Sequence, residues 1–445
     1  MTIKPKLGLF DLTMVTVSLV IGMGIFRTPV EVATKVDHNF IIFFAAWIVG
    51  GIVSLFGALT FAEIGSRYHV TGGFYRIFSH CYHPAFAFMV NWMTVISNAG
   101  STAIVAIIGA EYINPLIMPG VEHDLGIKIT TISAILILYV LNMFGIKMSS
   151  RVLNVLMIIK IALIVLLISA IFVPVRTSAS SPPFVPVSIN LPGDLHTFWL
   201  CFLPVFFTYG GYQQTMNFGS DVRDGTRTMP RAIFWGIAII LILYLLINFS
   251  YFRVLGMDGI RSSTALASDM AEHILGPSAS KFIAVVMFLS VMAYVNASIM
   301  SNPRVYYAMA EDKVLPPIFA RVNEKTQVQE FSTSFFVAFM VITLFLTSSF
   351  SKVLNYVMFF DSISLITASA AIFVLRYRAR LTPQDPNIYK IPLYPWLPAI
   401  FVITYTLVNV SILVSNPFAS LIGFVLFISG WPLYIMLKKL IAKNG

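Results

Sequence analysis

Two short glycine clusters interrupt otherwise apolar runs of this chain. One reads Val20-Ile21-Gly22-Met23-Gly24-Ile25-Phe26 and the other Phe207-Thr208-Tyr209-Gly210-Gly211-Tyr212-Gln213. Glycine costs about 1 kcal/mol inside a helix. A backbone break in an apolar medium also strands polar groups, so it is tolerated only where it lines a cavity or is buried in protein. Such a break exposes N–H groups of the following half-helix, which attract an anion, and C=O groups of the preceding half, which attract a cation. One small cavity with both ends suits a zwitterion such as an α-amino acid. The competing reading of either cluster is close helix packing of the small-residue kind.

Two charges lie deep in apolar runs. Lys160 stands about ten residues into its segment, or about 15 Å at ~1.5 Å per residue, and Asp361 about nine residues into another. Ionisable residues at membrane depth are functional candidates by default. Lys160, too deep to snorkel easily to either interface, is a candidate either to keep its charge at depth or to release a proton. Asp361 is read three ways: as a proton site, as a partner for a cationic side chain, or as a structural carboxylate hydrogen-bonded to Ser362 or Ser364.

The elements that must position these residues follow from composition. Of 445 residues 58% are apolar and 11% charged, against about a quarter charged in ordinary soluble chains. That excludes a soluble enzyme, a nucleic-acid binder or a secreted module, despite the net charge of +10. Two cysteines, Cys81 and Cys201, make no disulfide framework or metal cluster. The expected class is an all-α membrane protein.

A crossing needs about 20 mostly apolar residues. Twelve segments qualify, roughly 10–35, 40–65, 82–113, 127–146, 150–173, 195–222, 230–253, 281–310, 332–350, 353–376, 394–415 and 418–437. The first continues too far for a cleaved signal peptide, and the runs do not alternate as barrel strands do. With twelve spans both termini share a side. Most lysines and arginines fall there, including Lys4, Lys6, Arg67, Arg76, Arg231, Arg376 and Lys438. That bias predicts cytoplasmic termini in a cell membrane, with anionic headgroups as partners of the surplus charge.

The breaks fall in spans 1 and 6. Five is odd, so the second set of five spans runs the opposite way through the membrane. This predicts a 5+5 inverted repeat, 1–174 and 195–380, followed by two C-terminal spans over 394–440. Interrupted helices at matching places in two halves point to a transporter site at the midplane.

The motifs resemble the amino acid–polyamine–organocation superfamily, and its L-type amino acid transporter branch in particular. Gly22-Met-Gly-Ile-Phe26 is similar to the GxGIF element of span 1, and Phe207-Thr-Tyr-Gly-Gly-Tyr212 to an FxYGGW-type element of span 6. Ser301-Asn-Pro-Arg-Val-Tyr-Tyr-Ala-Met-Ala-Glu-Asp-Lys-Val-Leu-Pro316 is similar to SxxRxxYAMAxDGxLP, with Lys313 in place of glycine. Arg227-Thr-Met-Pro-Arg-Ala-Ile233 resembles the loop between spans 6 and 7.

The resemblance implies that the substrate carboxylate meets N–H groups around Met23 and Gly24. It implies that the ammonium meets carbonyls near Val20, Phe207 and Gly210, with Ile21, Gly22 and Gly211 completing the breaks. It makes Phe207 an outer gate and puts Asn98 and Ser298 near the substrate side chain, although a helix–helix hydrogen bond explains either residue equally well. The stretch Arg151–Lys160 resembles sodium-independent members, whose lysine takes the place of a sodium ion; the resemblance implies that its ammonium bridges span 1 and span 8, with Asn296 or neighbouring carbonyls as acceptors. Gln213 replaces a glutamate of some basic-substrate antiporters, which favours neutral amino acids.

Several absences bear on function. Loop 114–126 has no cysteine, so no disulfide-linked heavy subunit is expected. No phosphate-binding glycine loop, no metal-ligand spacing and no nucleophile–base constellation at membrane depth are found, so neither a cofactor nor an enzymatic activity is expected. A substrate sensor would call for a signalling domain or long tail, and only about eight residues follow the last span. The expected activity is transport of small or medium neutral L-amino acids by alternating access, as sodium-independent exchange. Proton symport and polyamine or cationic amino acid transport are the alternatives.

Overall fold

The computed structural model describes residues 5–36, 39–172, 191–263, 265–276, 279–346, 350–380 and 385–444. The first span is two helices, α1 (Leu9–Val20) and α2 (Gly24–Val36). There follow α3 (Phe40–Arg67), α4 (Gly73–Cys81), α5 (Pro84–Ile117), α6 (His123–Met143), α7 (Ile146–Ser169) and α8 (Leu191–Tyr209). After these come α9 (Gly225–Ser262), α10 (Leu266–Leu275), α11 (Ser280–Glu311), α12 (Glu330–Leu346), α13 (Phe350–Ala379), α14 (Trp396–Ser415) and α15 (Pro417–Asn444). Among the described residues the only β pairings are two isolated bridges, Leu7 with Val222 and Thr71 with Phe218.

Among the described residues, ten helices are long and apolar enough to cross a membrane, counting α1 and α2 as one. The other two places in the twelve-span reading hold α8 and the shorter α12. Local chemistry sets several starts. The Asp11 carboxylate in the first turn of α1 accepts the Gly8 N–H at 3.2 Å, and an anion there also suits the helix dipole. The Asn39 side chain caps α3 by accepting from Ile42 N–H at 3.1 Å. Pro84 opens α5, where a missing N–H costs nothing.

Span 6 departs from expectation. Its second half is not an α-helix but two 3-10 turns, Tyr212–Asn217 and Gly219–Asp221. At the other end of the following loop, α9 begins at Gly225 and runs to Ser262 with a kink at Gly256, whose φ of 67° breaks the helical path.

The packing puts the broken spans at the centre. α1 lies against α9 and α7, and α2 against α8 and α9. α3 runs along α8 and α9, while α11 runs along α5 and α7. The outermost helices, α14 and α15, leave Leu407, Val410, Val414, Phe424 and Val425 exposed. Apolar surface on that scale marks a lipid-facing wall.

Candidate functional site

At the first break Ile21 leaves the helical region (φ −75°, ψ 82°), and its N–H still bonds Val17 O at 2.8 Å. Gly22 N–H folds back to the Val20 carbonyl at 2.8 Å. Across the gap, the N–H groups of Met23, Gly24 and Ile25 find no acceptor among the described residues. They are the orphan donors that every helix start leaves over. At the second break Gly210 N–H bonds the Phe207 carbonyl at 3.2 Å, and the Gly210 carbonyl accepts nothing among the described residues. One anion-seeking end and one cation-seeking end are therefore open.

Both ends face one cavity of about 720 Å³. Span 1 lines it with Val20, Gly22, Met23 and Gly24, and span 6 with Phe207, Gly210, Gly211 and Gln213. Asn98 and Ser101 of α5, Tyr294 of α11, Asp361 of α13 and Tyr405 of α14 also line it. The cavity extends to Arg27, Glu31 and Ser263, away from the N-terminal end of span 1.

The four glycines do different work. A Cβ at Gly22 would meet only Tyr294, at 3.7 Å, and one at Gly210 would meet carbonyl oxygens at 3.5 Å. A Cβ at Gly24 would press Thr208 Oγ1 at 2.8 Å and the Thr208 Cα at 3.2 Å. Gly211 has φ +118°, and its Cβ would lie 2.1 Å from the Leu19 carbonyl oxygen. Gly24 and Gly211 thus let the two broken spans touch their neighbours, while Gly22 and Gly210 open onto the cavity.

Lys160 is wholly buried on α7, and its ammonium donates to the Ile21 carbonyl. It stands behind span 1 and not in the cavity wall. Ile21 is likewise fully buried and outside that wall, its carbonyl committed to Lys160 and not to a substrate. Asn296 does not serve the lysine. Its Oδ1 accepts from Asn142 at 2.7 Å and its Nδ2 donates to Ser149 O at 3.1 Å.

Ser298 also sits outside the cavity. Its hydroxyl pairs with that of Thr102 at 2.7 Å and accepts from Asn302 Nδ2 at 3.1 Å, tying α11 to α5. Asn98 reaches the cavity, yet its Nδ2 is given to Asn302 Oδ1 at 2.6 Å. Asp361 lines the cavity without either predicted serine partner. The Ser362 hydroxyl donates to Phe359 O at 2.9 Å.

Tyr244 of α9 is a feature that the sequence reading missed. Its buried hydroxyl lies 3.4 Å from the Val20 carbonyl and 3.2 Å from the Thr208 carbonyl, so it bridges the ends of both half-helices. Thr208 in turn bonds Thr28 at 2.6 Å. Nothing in the local pattern of α9 distinguishes Tyr244 from the other aromatics of that apolar run.

Ion pairs that were also not anticipated join helices at the end of the bundle that holds residue 5. Arg304 Nε meets Asp221 Oδ2 at 2.6 Å, with the guanidinium 4.4 Å from the centre of the Phe218 ring. Lys6 and Leu7 donate their N–H groups to the Asp221 carbonyl at 2.7 and 2.8 Å. Glu63, fully buried, takes Arg67 at 2.7 Å, Arg376 at 2.6 Å and the Ile391 N–H at 2.7 Å. Arg76 pairs with Glu311 at 2.6 Å and with Asp312. Burial holds the Asp312 carboxyl above its usual range despite that guanidinium.

Similarity to known proteins bears on this arrangement. A family model described as amino acid permease matches residues 7–437. The chain is 29% identical over 443 residues to the serine/threonine exchanger SteT of Bacillus subtilis, covering 98% of each chain. It is 25% identical over 437 residues to the human cystine/glutamate transporter, covering 98% of this chain and 85% of that one. It is also 25% identical over 442 residues to the mouse large neutral amino acids transporter small subunit 2, covering 98% and 81%.

Proposed function

The chain belongs to the amino acid permease family, and we propose that it moves small or medium neutral L-amino acids by sodium-independent exchange through alternating access. It is a multi-pass membrane protein of a transporter family and not an enzyme. The observation that carries the substrate reading is the pairing of open ends in one cavity. The N–H groups of Met23, Gly24 and Ile25 offer an anion site, and the Gly210 carbonyl offers a cation site. An α-carboxylate and an α-ammonium match them. Phe207, in the same wall, acts as the gate.

Sodium independence is supported by the Lys160 side chain, whose Nζ already donates to the carbonyl of Ile21. The two sets of five spans act as inverted repeats, with the termini in the cytoplasm of a cell bearing anionic inner headgroups. No disulfide-linked subunit is needed, since Cys81 and Cys201 are both buried. The names of the relatives span serine/threonine, cystine/glutamate and large neutral amino acids. Gln213, uncharged in the cavity wall, favours neutral substrates.

The test is radiolabelled uptake into proteoliposomes with and without internal amino acid, then under a pH gradient. Strong trans-stimulation insensitive to sodium and to the gradient is expected. Uptake driven by the gradient with no trans-stimulation would replace exchange by proton symport.

A further inference from the structure

Four groups of charge surround or line the cavity, and all but one are matched. Glu31 at the rim is paired with Lys35 at 2.9 Å. Arg27 stands in the field of Glu111 on α5. Lys160 is held by Ile21 behind the wall. Asp361, alone of these four, has no hydrogen bond or ion pair with the described residues, and it lines the cavity. Its neighbour Ser362 is spent on Phe359 O and on Asn409 Nδ2, which it meets at 2.8 Å.

The surroundings point that carboxylate at a ligand. Tyr294 and Tyr405 lie in its field from α11 and α14. The Tyr294 ring also rests on Gly22, 3.7 Å from where a Cβ would stand. Gly22, Tyr294 and Asp361 thus line the same cavity. Asp361 and the break share one cavity wall, within which a substrate held by its backbone at the break would place its side chain.

We propose that Asp361 receives the substrate side chain and selects amino acids whose side chain ends in a hydrogen-bond donor, a hydroxyl above all, over aliphatic ones of the same size. This rests on the amino-acid exchange reading above and narrows its substrate class. An unpaired carboxylate in a largely apolar wall is costly. A substrate hydroxyl turns it into the acceptor of a charge-assisted hydrogen bond. A methyl group in the same place leaves it unpaired, and sites of that kind reject analogues lacking the donor far more strongly than apolar pockets reject a size change.

The experiment compares isosteric pairs in proteoliposome exchange: serine against 2-aminobutyrate, and threonine against valine. The wild-type protein is expected to favour the hydroxyl member by at least about tenfold in kcat/KM. Asp361→Ala should bring that ratio near one, whatever its effect on the absolute rates, and Asp361→Asn, which still offers an acceptor, should keep part of it. Equal rates within each wild-type pair overturn the proposal whether or not the variants fold, as does an unchanged ratio in Asp361→Ala. Exchange of ornithine above serine would overturn the preference for a hydroxyl and the neutral-substrate reading together. Loss of all amino-acid exchange in the wild type would overturn both.

Discussion

The ammonium of Lys160 on the fifth membrane helix donates to the carbonyl of Ile21, the residue at which the first helix leaves its α-helical path. A residue 139 positions away in sequence thus satisfies an acceptor that the break would otherwise strand. It also brings a positive charge to the back of the proposed substrate site. Without this bond the Ile21 carbonyl at the end of α1 has no other partner among the described residues.

Removing the lysine should therefore disable the break. Lys160→Ala and the similarly long Lys160→Met are expected to slow trans-stimulated uptake by about 10- to 100-fold, the range set by a buried hydrogen bond to a charged group. Both proteins should still elute as monodisperse particles in detergent. Wild-type rates in Lys160→Met would remove the charge from any part in transport.

The glycines should separate by what stands opposite them. Gly211→Ala places a side chain at φ +118° and against the Leu19 carbonyl, and strain of that kind costs about 1–3 kcal/mol before any clash is counted. A clear fall in thermal unfolding temperature is expected. Gly22→Ala meets only the Tyr294 ring at ordinary contact distance, so it should unfold like the wild type while weakening substrate binding. Equal stability losses in the two variants would contradict this division. Gly24→Val should fail chiefly by pushing Thr208 away, and only secondarily by filling the cavity.

The Arg304–Asp221 pair offers a test of how that end of the molecule is held. Both side chains are nearly fully buried, and removing one partner of such a pair leaves an uncompensated charge, costing about 3–5 kcal/mol. Asp221→Leu is expected to be strongly destabilised in a thermal unfolding assay. The double variant Asp221→Leu with Arg304→Met should recover most of the loss, because neither charge is then left buried. No recovery would indicate that the hydrogen bonds of Lys6 and Leu7 to this segment depend on the Asp221 side chain.

Cys81, on α4, reports on its own burial. Desolvation pushes its thiol up to about 11, so at pH 8 only about one molecule in a thousand carries the reactive thiolate. Labelling by iodoacetamide should be slow at neutral pH and should climb nearly tenfold per pH unit toward that value. Fast labelling at pH 7 would show that α4 opens to solvent.

The class of this molecule was legible from residues alone. Apolar content, run lengths and the bias of basic residues specify a bundle of membrane helices, because each depends only on local composition. The two glycine clusters and Lys160 were visible for the same reason: in lipid a broken helix or a buried charge violates a local rule. Periodicity could not tell which glycine faces space and which faces a carbonyl. Gly22 and Gly24 look alike in sequence, yet one rests on Tyr294 and the other on Thr208.

Tertiary structure alone decided that Ser298 belongs to a bond between α5 and α11, that Ile21 is committed to Lys160, and that Tyr244 spans both breaks. It alone paired Glu63 with Arg376, 313 residues away, and left Asp361 unpartnered in the cavity wall. These facts concern which groups meet across the bundle. Meeting depends on how helices far apart in the chain pack together, and no spacing within one helix records it.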